Sequence, residues 1–547
     1  MKRRGFLKSA GVAPALLALP RFGHTNSRAR GLFAHGVASG DPLADRVILW
    51  THVSLPRGHG GVEVEYEVAS DRDFSKIVVE GVTEASPERD HCVKVDVAGL
   101  TPGRTWFYRF RALGETSMVG RTRTLPVGKL DSIRLAVASC SNFPAGFFTA
   151  YGDIARDERV FAVVHLGDYI YEYAADGYAS QRAPEFGRVS VPRNELLTVD
   201  DYRLRHAQYK ADPDSIAMHA SHPLIAVWDD HEVANDAWLR GAENHQPETE
   251  GDWLRRRAGA WQAYDEWMPT RTPGLSENGR LFRSFEFGDL ASLILLDTRY
   301  FGRDRQVDAV ELVRDPEALE RARRDPSRDL LGREQEKWLN AELKGSADAQ
   351  RWQLIGQQVL VSELLLPNLA PVLDVETARA RLGDERVDAV LAIGGKGLPM
   401  LWDTWDGYDA ARNRFLTELD GNASSPVVLT GDIHTSIAGD LRMPVSDRIG
   451  AVELVTTSIS SPGFDPYLPT GEPGQLATAF RDANPWLRAF ETTKRGWMQI
   501  DLNRDRVTAT WRHVDRVDRR GAVVRQGIRL QSPHRESGEM GLGPLQT

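Results

Sequence analysis

The chain is 547 residues long, 41% hydrophobic and 27% charged, with 14 Trp, 2 Cys and a formal net charge of -9. That length exceeds one ordinary compact core and predicts two or more domains, while the acidic balance speaks against nucleic acid or an anionic bilayer as the main partner. A local basic pocket for a small anion remains open.

The first segment, "MKRRGFLKSAGVAPALLALPRFGH", sets Arg3 and Arg4 before Phe6, Leu7, Lys8 and a short apolar stretch from Gly11 to Leu19. It reads as a twin-arginine signal over residues 1–28, recognised by the twin-arginine export machinery. Its apolar part is too short for a stable span of a hydrocarbon core about 30 Å thick. The expected destination is periplasmic or extracellular, where a disulfide between Cys92 and Cys140 would be permitted.

Residues 30–126 alternate short strand patterns with turns, with period two in "VEVEYEVAS" and "HCVKVDVAGL". They predict a half-buried antiparallel β-sandwich of fibronectin or immunoglobulin type that positions rather than catalyses. Across residues 131–520 the pattern changes to continuous apolar runs: "IRLAVAS", "VFAVVHL", "PLIAVW", "LASLILL", "WQLIGQQVLV" and "SPVVLT". Such runs suit strands buried on both faces. Helical spacing lies between them, as in "DYRLRHAQYKAD" and "GREQEKWLNAELKG", so the expected fold class is an α/β layered catalytic domain with helices on both faces of its sheet. Residues 303–330 and 365–400 read as insertions that shape pocket access, 497–517 as a β-hairpin, and 521–547 as an exposed C-terminal tail.

Each apolar run is followed by residues that carry chemistry. Cys140 follows the first, Asp168 and Tyr171 the second, Asp229, Asp230 and His231 the third, Asp297 and Arg299 the fourth, and Asp432 and His434 the last. In open α/β sheets the carboxyl ends of strands converge on the ligand crevice, so these groups should meet. Asp297 serves equally well as a turn or helix cap, and His165, inside its run, reads as a core histidine. The adjacent carboxylates Asp229 and Asp230 repel unless a cation or several donors compensate, and Gly167 and Gly431 let the backbone turn sharply toward a ligand. Carboxylate, imidazole, phenolate and thiolate groups could together hold two cations, with Asp168 between them, that clamp the oxygens of an in-line phosphoryl displacement. His231 is placed to protonate the leaving alkoxide, and Arg203, Arg205 and Arg299 are candidates for gripping phosphate, with a surface salt bridge as the competing reading of each arginine.

The order "ASCSN", "HLGDYIYEY", "YRLRHAQYK", "WDDHEVANDAW", "LDTRYF", "LGREQEKWL", "WDTWDGY" and "LTGDIHTS" resembles the PhoD-like alkaline phosphatases, a branch of the calcineurin-like metallophosphoesterases. The resemblance runs from about Gly31 to about Val517 and implies a secreted phosphoric ester hydrolase containing Fe(III) and Ca(II). It implies Cys140, Asp168, Tyr171, Asp432 and His434 as iron-side ligands and Asp168 as the bridge. On the calcium side it implies Asp230, joined by Asn235 or Asp403. "ANDAW" stands where the family pattern leads one to expect paired amides, and Asp403 and Asp406 both match "WDTWDGY". A phenolate on Tyr171 suits a hard ferric ion better than zinc.

Cys140 thus has three readings: a half-cystine with Cys92, an inert core thiol, or a metal-bound thiolate. Its place in line with four other strand ends favours the thiolate. The expected function is a metal-dependent phosphatase acting on a small mono- or diester by attack of a metal-bridging hydroxide on phosphorus. A phospholipase D-type phosphodiesterase and a catalytically inactive secreted binding protein are the alternatives.

Overall fold

The computed structural model describes residues 31–545, apart from positions 57, 273, 274, 276–278, 308–314, 465 and 473. The export signal expected over 1–28 lies outside the described residues.

Two large mixed sheets organise the molecule. One runs, in spatial order, through Val524–Pro533, Arg506–Val514, Arg495–Asn503, Ser132–Ala138, Ala162–Leu166, Leu224–Val227, Val37–Gly40, Arg46–His52 and Cys92–Ala98. Its centre is parallel, with Ala162 opposite Leu135 and Val163 opposite Leu224. The other runs through Arg283–Phe287, Ala291–Leu295, Trp352–Gln357, Pro426–Thr430, Ile449–Val455, Ser436–Arg442 and Leu487–Glu491, and is parallel from Ala291–Leu295 to Ile449–Val455. The central strands "AVVHL", "LIAV", "ASLIL" and "PVVLT" are buried at every position, as sequences that are apolar except for His165, Ser292 and Thr430 allow.

One apolar cluster joins Leu135, Val137 and Val163 of the first sheet to Leu293, Leu354 and Val427 of the second. Helices Arg333–Ala347 and Asp409–Asn422 pack through Leu339, Leu343, Phe415 and Leu419 against Ile294, Ile355 and Val428 of the second sheet. The single sheet expected from the sequence is therefore two sheets sharing a core. An apolar run reads the same whether its second face meets a helix or another sheet.

Near the N-terminus, Gly40 pairs in parallel with Leu224, so strands Val37–Gly40, Arg46–His52 and Cys92–Ala98 continue the large sheet. A smaller sheet of Ile77–Ala85, Val62–Ala69, Thr105–Ala112, Glu115–Thr116 and Gly120–Arg123 faces them across Val47, Leu49, Val64, Trp106 and Phe110. Period two is visible in Val62–Ala69, where Val62 and Val64 are buried and Glu63 and Glu65 exposed. Residues 521–547, expected as an exposed tail, instead supply the strand Val524–Pro533 along Arg506–Val514, and Leu542 is buried with its N–H on Asp440 Oδ1 at 2.8 Å. The side chains of Val524–Pro533, most of them at least partly exposed, are those of an edge strand with a solvent-facing side.

Candidate metal centre

Where the apolar strands end, the backbone turns abruptly. Cys140, Asp168, Asp432 and His434 all have left-handed backbones, with φ of 61°, 55°, 60° and 57°. This conformation costs a non-glycine residue about 1–2 kcal/mol, so the surrounding packing must hold it, a pattern that concentrates at functional sites. Gly167, at φ 98°, precedes Asp168, and a Cβ there would lie 2.4 Å from Cβ of Asp229. Only glycine lets the two strand ends approach this closely.

The turns bring four overlapping groups together: Cys140, Asp168 and His434; Asp168, Asp230 and His231; Asp168, Asp229, Asp230 and Asp432; and Asp230, Asp236 and Asp403. Within each group the ligand atoms lie within 4.8 Å of one another. Tyr171 Oη lies 3.1 Å from both Asp168 Oδ2 and His434 Nε2, and accepts from Ser461 Oγ at 2.7 Å. His434 Nδ1 donates to the Pro462 carbonyl at 2.9 Å, which leaves the Nε2 lone pair aimed at this group.

The donor set fits multivalent cations. Among the described residues, Asp168 Oδ1, Asp229 Oδ2 and Asp230 Oδ1 are buried without a hydrogen-bond partner; Arg299 offsets only part of the charge of the four carboxylates it meets, and burying the remainder costs several kcal/mol. Burial, reinforced by the neighbouring carboxylates, pushes the Asp168 and Asp432 carboxyls well above their ordinary range and Asp229 up to about 7. Burial, and after it Asp168, likewise pushes up the Cys140 thiol and the Tyr171 hydroxyl. Positive charge at the centre would relieve all of these at once.

Residues 229–232 divide the work. Asp229 Oδ1 accepts from Arg299 Nε at 2.5 Å, and Asp230 joins the acidic groups. His231 Nδ1 lies 2.7 Å from Glu172 Oε2. Glu232 accepts from the backbone N–H groups of Asp168, Tyr169 and Asp229 at 3.0, 2.5 and 2.7 Å, tying two strand ends together. The other Glu172 oxygen takes the Asn235 N–H and the Asn244 amide, both at 2.8 Å. Burial alone would lower the proton affinity of His231, but Glu172, then Asp168 and Asp230, outweigh it and raise it well above the ordinary value.

Some predicted residues are elsewhere. The Asn235 amide turns to Glu243 at 3.2 Å, and Asp236 takes the place beside Asp230 and Asp403. Of the two acids in "WDTWDGY", Asp403 reaches the centre, whereas Asp406 accepts from the Leu364 N–H and from Arg412 at 2.9 and 2.5 Å. Arg203 pairs with Glu266 at 2.7 Å, and Arg205 donates to the carbonyls of Tyr171, Tyr173, Val191 and Pro192. Both guanidinium groups are thus spent on framework partners. Of the three candidate arginines, Arg299 reaches the centre, 2.5 Å from Asp403, 3.4 Å from Asp432 and 3.6 Å from Asp230. Asp297 caps a turn, accepting from the N–H groups of Arg299 and Tyr300. Cys92 and Cys140 are both buried free thiols, so the disulfide is absent. Glu172 and Asp236 were not singled out by the sequence, although each sits inside the same short motif as a predicted residue, and Glu232, next to His231, was given no role.

A cavity of about 1900 Å³ opens on the centre, with Asp236, Asp403 and Asp432 in its wall. The two insertions contribute Arg305 and Gln306 from one and Leu366, Leu382 and Ile393 from the other.

The chain matches the family model of the PhoD-like phosphatase over residues 135–511 and that of the PhoD-like phosphatase N-terminal domain over 18–126. It is 38% identical over 448 residues to alkaline phosphatase D of Bacillus subtilis (strain 168), an alignment covering 79% of this chain and 70% of that one. It also resembles a solved structure of PhoD, with a TM-score of 0.78 and 32% identity across 93% of this chain and 91% of that one. Among the described residues, no helix is long and apolar enough to cross a membrane.

Proposed function

The chain belongs to the PhoD-like phosphatase family and is a phosphoric ester hydrolase, and from that premise we propose an exported phosphatase that works with two kinds of cation on small phosphate mono- or diesters. The observation that carries this reading is the set of buried carboxylates with partnerless oxygens around Asp168. Cys140, Asp168, Tyr171, Asp432 and His434 would hold Fe(III), and Asp230, Asp236 and Asp403, all oxygen donors, would hold Ca(II). Bound there, the cations would lower the pKa of water and stabilise charge on the ester oxygens.

The chain's own residues then have definite tasks. Glu172 holds His231 by Nδ1, so a protonated imidazole can offer its Nε2 proton to the leaving oxygen. Arg299, bound by four carboxylates, fixes their orientation and offsets part of their charge. Arg205 holds the backbone on either side of Glu172 and thereby the Tyr171 side chain. The basic start with Arg3 and Arg4 supports export by the twin-arginine route, periplasmic or extracellular.

Hydrolysis of p-nitrophenyl phosphate tests the reading. Asp168→Asn should lower it by at least about 10³-fold, which corresponds to about 4 kcal/mol of transition-state stabilisation. Turnover that survives this change would overturn the proposed centre, and inactivity of the unaltered protein with every cation tried would favour a binding protein. For iron, the expected sign is a visible phenolate-to-ferric absorption that disappears in Tyr171→Phe; an active, colourless, iron-free enzyme contradicts it. Turnover of bis-p-nitrophenyl phosphate set against that of p-nitrophenyl phosphate separates the alternative, a phospholipase D-type phosphodiesterase, from a monoesterase.

A further inference from the structure

Apart from the acidic groups, the turn that precedes strand Val37–Gly40 and the end of strand Arg46–His52 bring three donor atoms together. His35 Nδ1 lies 3.1 Å from His52 Nδ1, and Ser54 Oγ lies 3.3 Å from His52 Nδ1 and 3.4 Å from His35 Nδ1. We propose that this triangle is a separate metal site for a divalent transition cation that prefers imidazole, with zinc as the first candidate.

The argument begins with what a ring nitrogen can do. An imidazole nitrogen has one in-plane lobe, which is either a lone pair or an N–H. Each Nδ1 here faces two neighbours, so hydrogen bonding inside the triangle makes one lobe serve two partners. A cation seated over the triangle takes a lone pair from all three atoms. Tetrahedral zinc, with bonds to nitrogen of about 2.0–2.1 Å, sets its ligand atoms about 3.3–3.4 Å apart. The three edges already have nearly this length.

The surroundings prepare the two rings. His52 stacks on Trp267 with centroids 4.8 Å apart and planes 23° apart, and His35 meets the same indole edge-on at 5.1 Å and 89°. Trp267 is itself fixed, its Nε1 donating to Asp90 Oδ2 at 3.1 Å. Burial, and then the neighbouring His35, keep His52 in its neutral form, the form that binds metals. His35 and Ser54 are half-buried, so water can complete the coordination. No carboxylate belongs to the triangle, which selects against calcium and magnesium and for zinc or copper. A cation here would staple the chain at residue 35 to a strand end beside Trp267, the last residue of helix Trp253–Trp267.

The test reads metal content and is independent of catalysis. Purified holoenzyme and its His35→Gln and His52→Gln variants are dialysed against zinc, and zinc per chain is measured. The unaltered protein should hold one more equivalent than either variant. Loaded with copper, it should show paramagnetic resonance coupling to two nitrogens that falls to one in each variant. Equal zinc and identical copper spectra in all three proteins, with circular dichroism showing that the variants fold, would reduce the triangle to a hydrogen-bonded pair and overturn the proposal. If His52→Gln fails to fold, His35→Gln on its half-exposed turn decides the question alone.

Discussion

Among single residues, Glu172 is the carboxylate that holds His231, the proposed proton donor. One oxygen holds His231 Nδ1 and the other holds the Asn235 N–H and the Asn244 amide, so its position leaves little freedom to the imidazole. Glu172→Gln should lower kcat by about 10–100-fold, as losses of supporting hydrogen bonds do, while leaving KM nearly unchanged. It removes the largest influence that raises the proton affinity of His231, so the alkaline limb of the kcat profile should move to lower pH. A changed KM with an unmoved profile would assign Glu172 to packing alone. Lys210 shows the opposite case, a buried cation whose Nζ lies 3.0 Å from His219 Nε2 and 4.8 Å from the centre of the Trp50 ring. Burial lowers its pKa to about 7. Unfolded, the lysine keeps its proton to about pH 10.4. Between these values the unfolded chain binds more protons, so stability rises with pH across that window. Lys210→Met should therefore stabilise the protein near pH 7, by up to about 4 kcal/mol, with the gain fading toward pH 10.4. Equal Tm differences at both pH values would contradict this.

At the level of elements, the decisive feature is the strand end. The last four residues of each strand before Cys140, Asp168 and Asp432 are buried, and the chain turns abruptly where the strand ends. The left-handed residues at those turns aim the side chains inward. Helix Val199–Lys210, opened by a capping box between Thr198 and Asp201, supports one such turn through Arg205. Arg205→Met would leave the buried carbonyls of Tyr171, Tyr173, Val191 and Pro192 without this donor. The expected loss is about 1–3 kcal/mol of unfolding free energy, measured by denaturant titration; an unchanged midpoint would show that the clamp carries no load. The strand Val524–Pro533, in the region expected as an exposed tail, keeps most of its side chains at least partly exposed while its backbone pairs along the sheet edge.

Across the whole molecule, the centre lies where two sheets meet. Cys140, Asp168 and residues 229–231 come from the ends of one sheet's strands, and Arg299, Asp432 and His434 from the other's. Cations at this junction should bind the folded chain far better than the unfolded one, so chelation should lower Tm by an amount that corresponds to a few kcal/mol. Calorimetry with and without chelator measures it, and the drop should shrink in Asp168→Asn; an unchanged Tm in the unaltered protein would count against the centre. The apolar runs, their order and the candidate residues just after them were legible in the sequence alone, because burial on both faces demands mostly apolar character and the chain direction places strand ends on one side. Whether those runs built one sheet or two, which of Arg203, Arg205 and Arg299 faced the acids, and whether Asn235 or Asp236 turned inward was decided only in three dimensions. A side chain's partner depends on which distant segment lies across from it, and sequence spacing does not encode that contact.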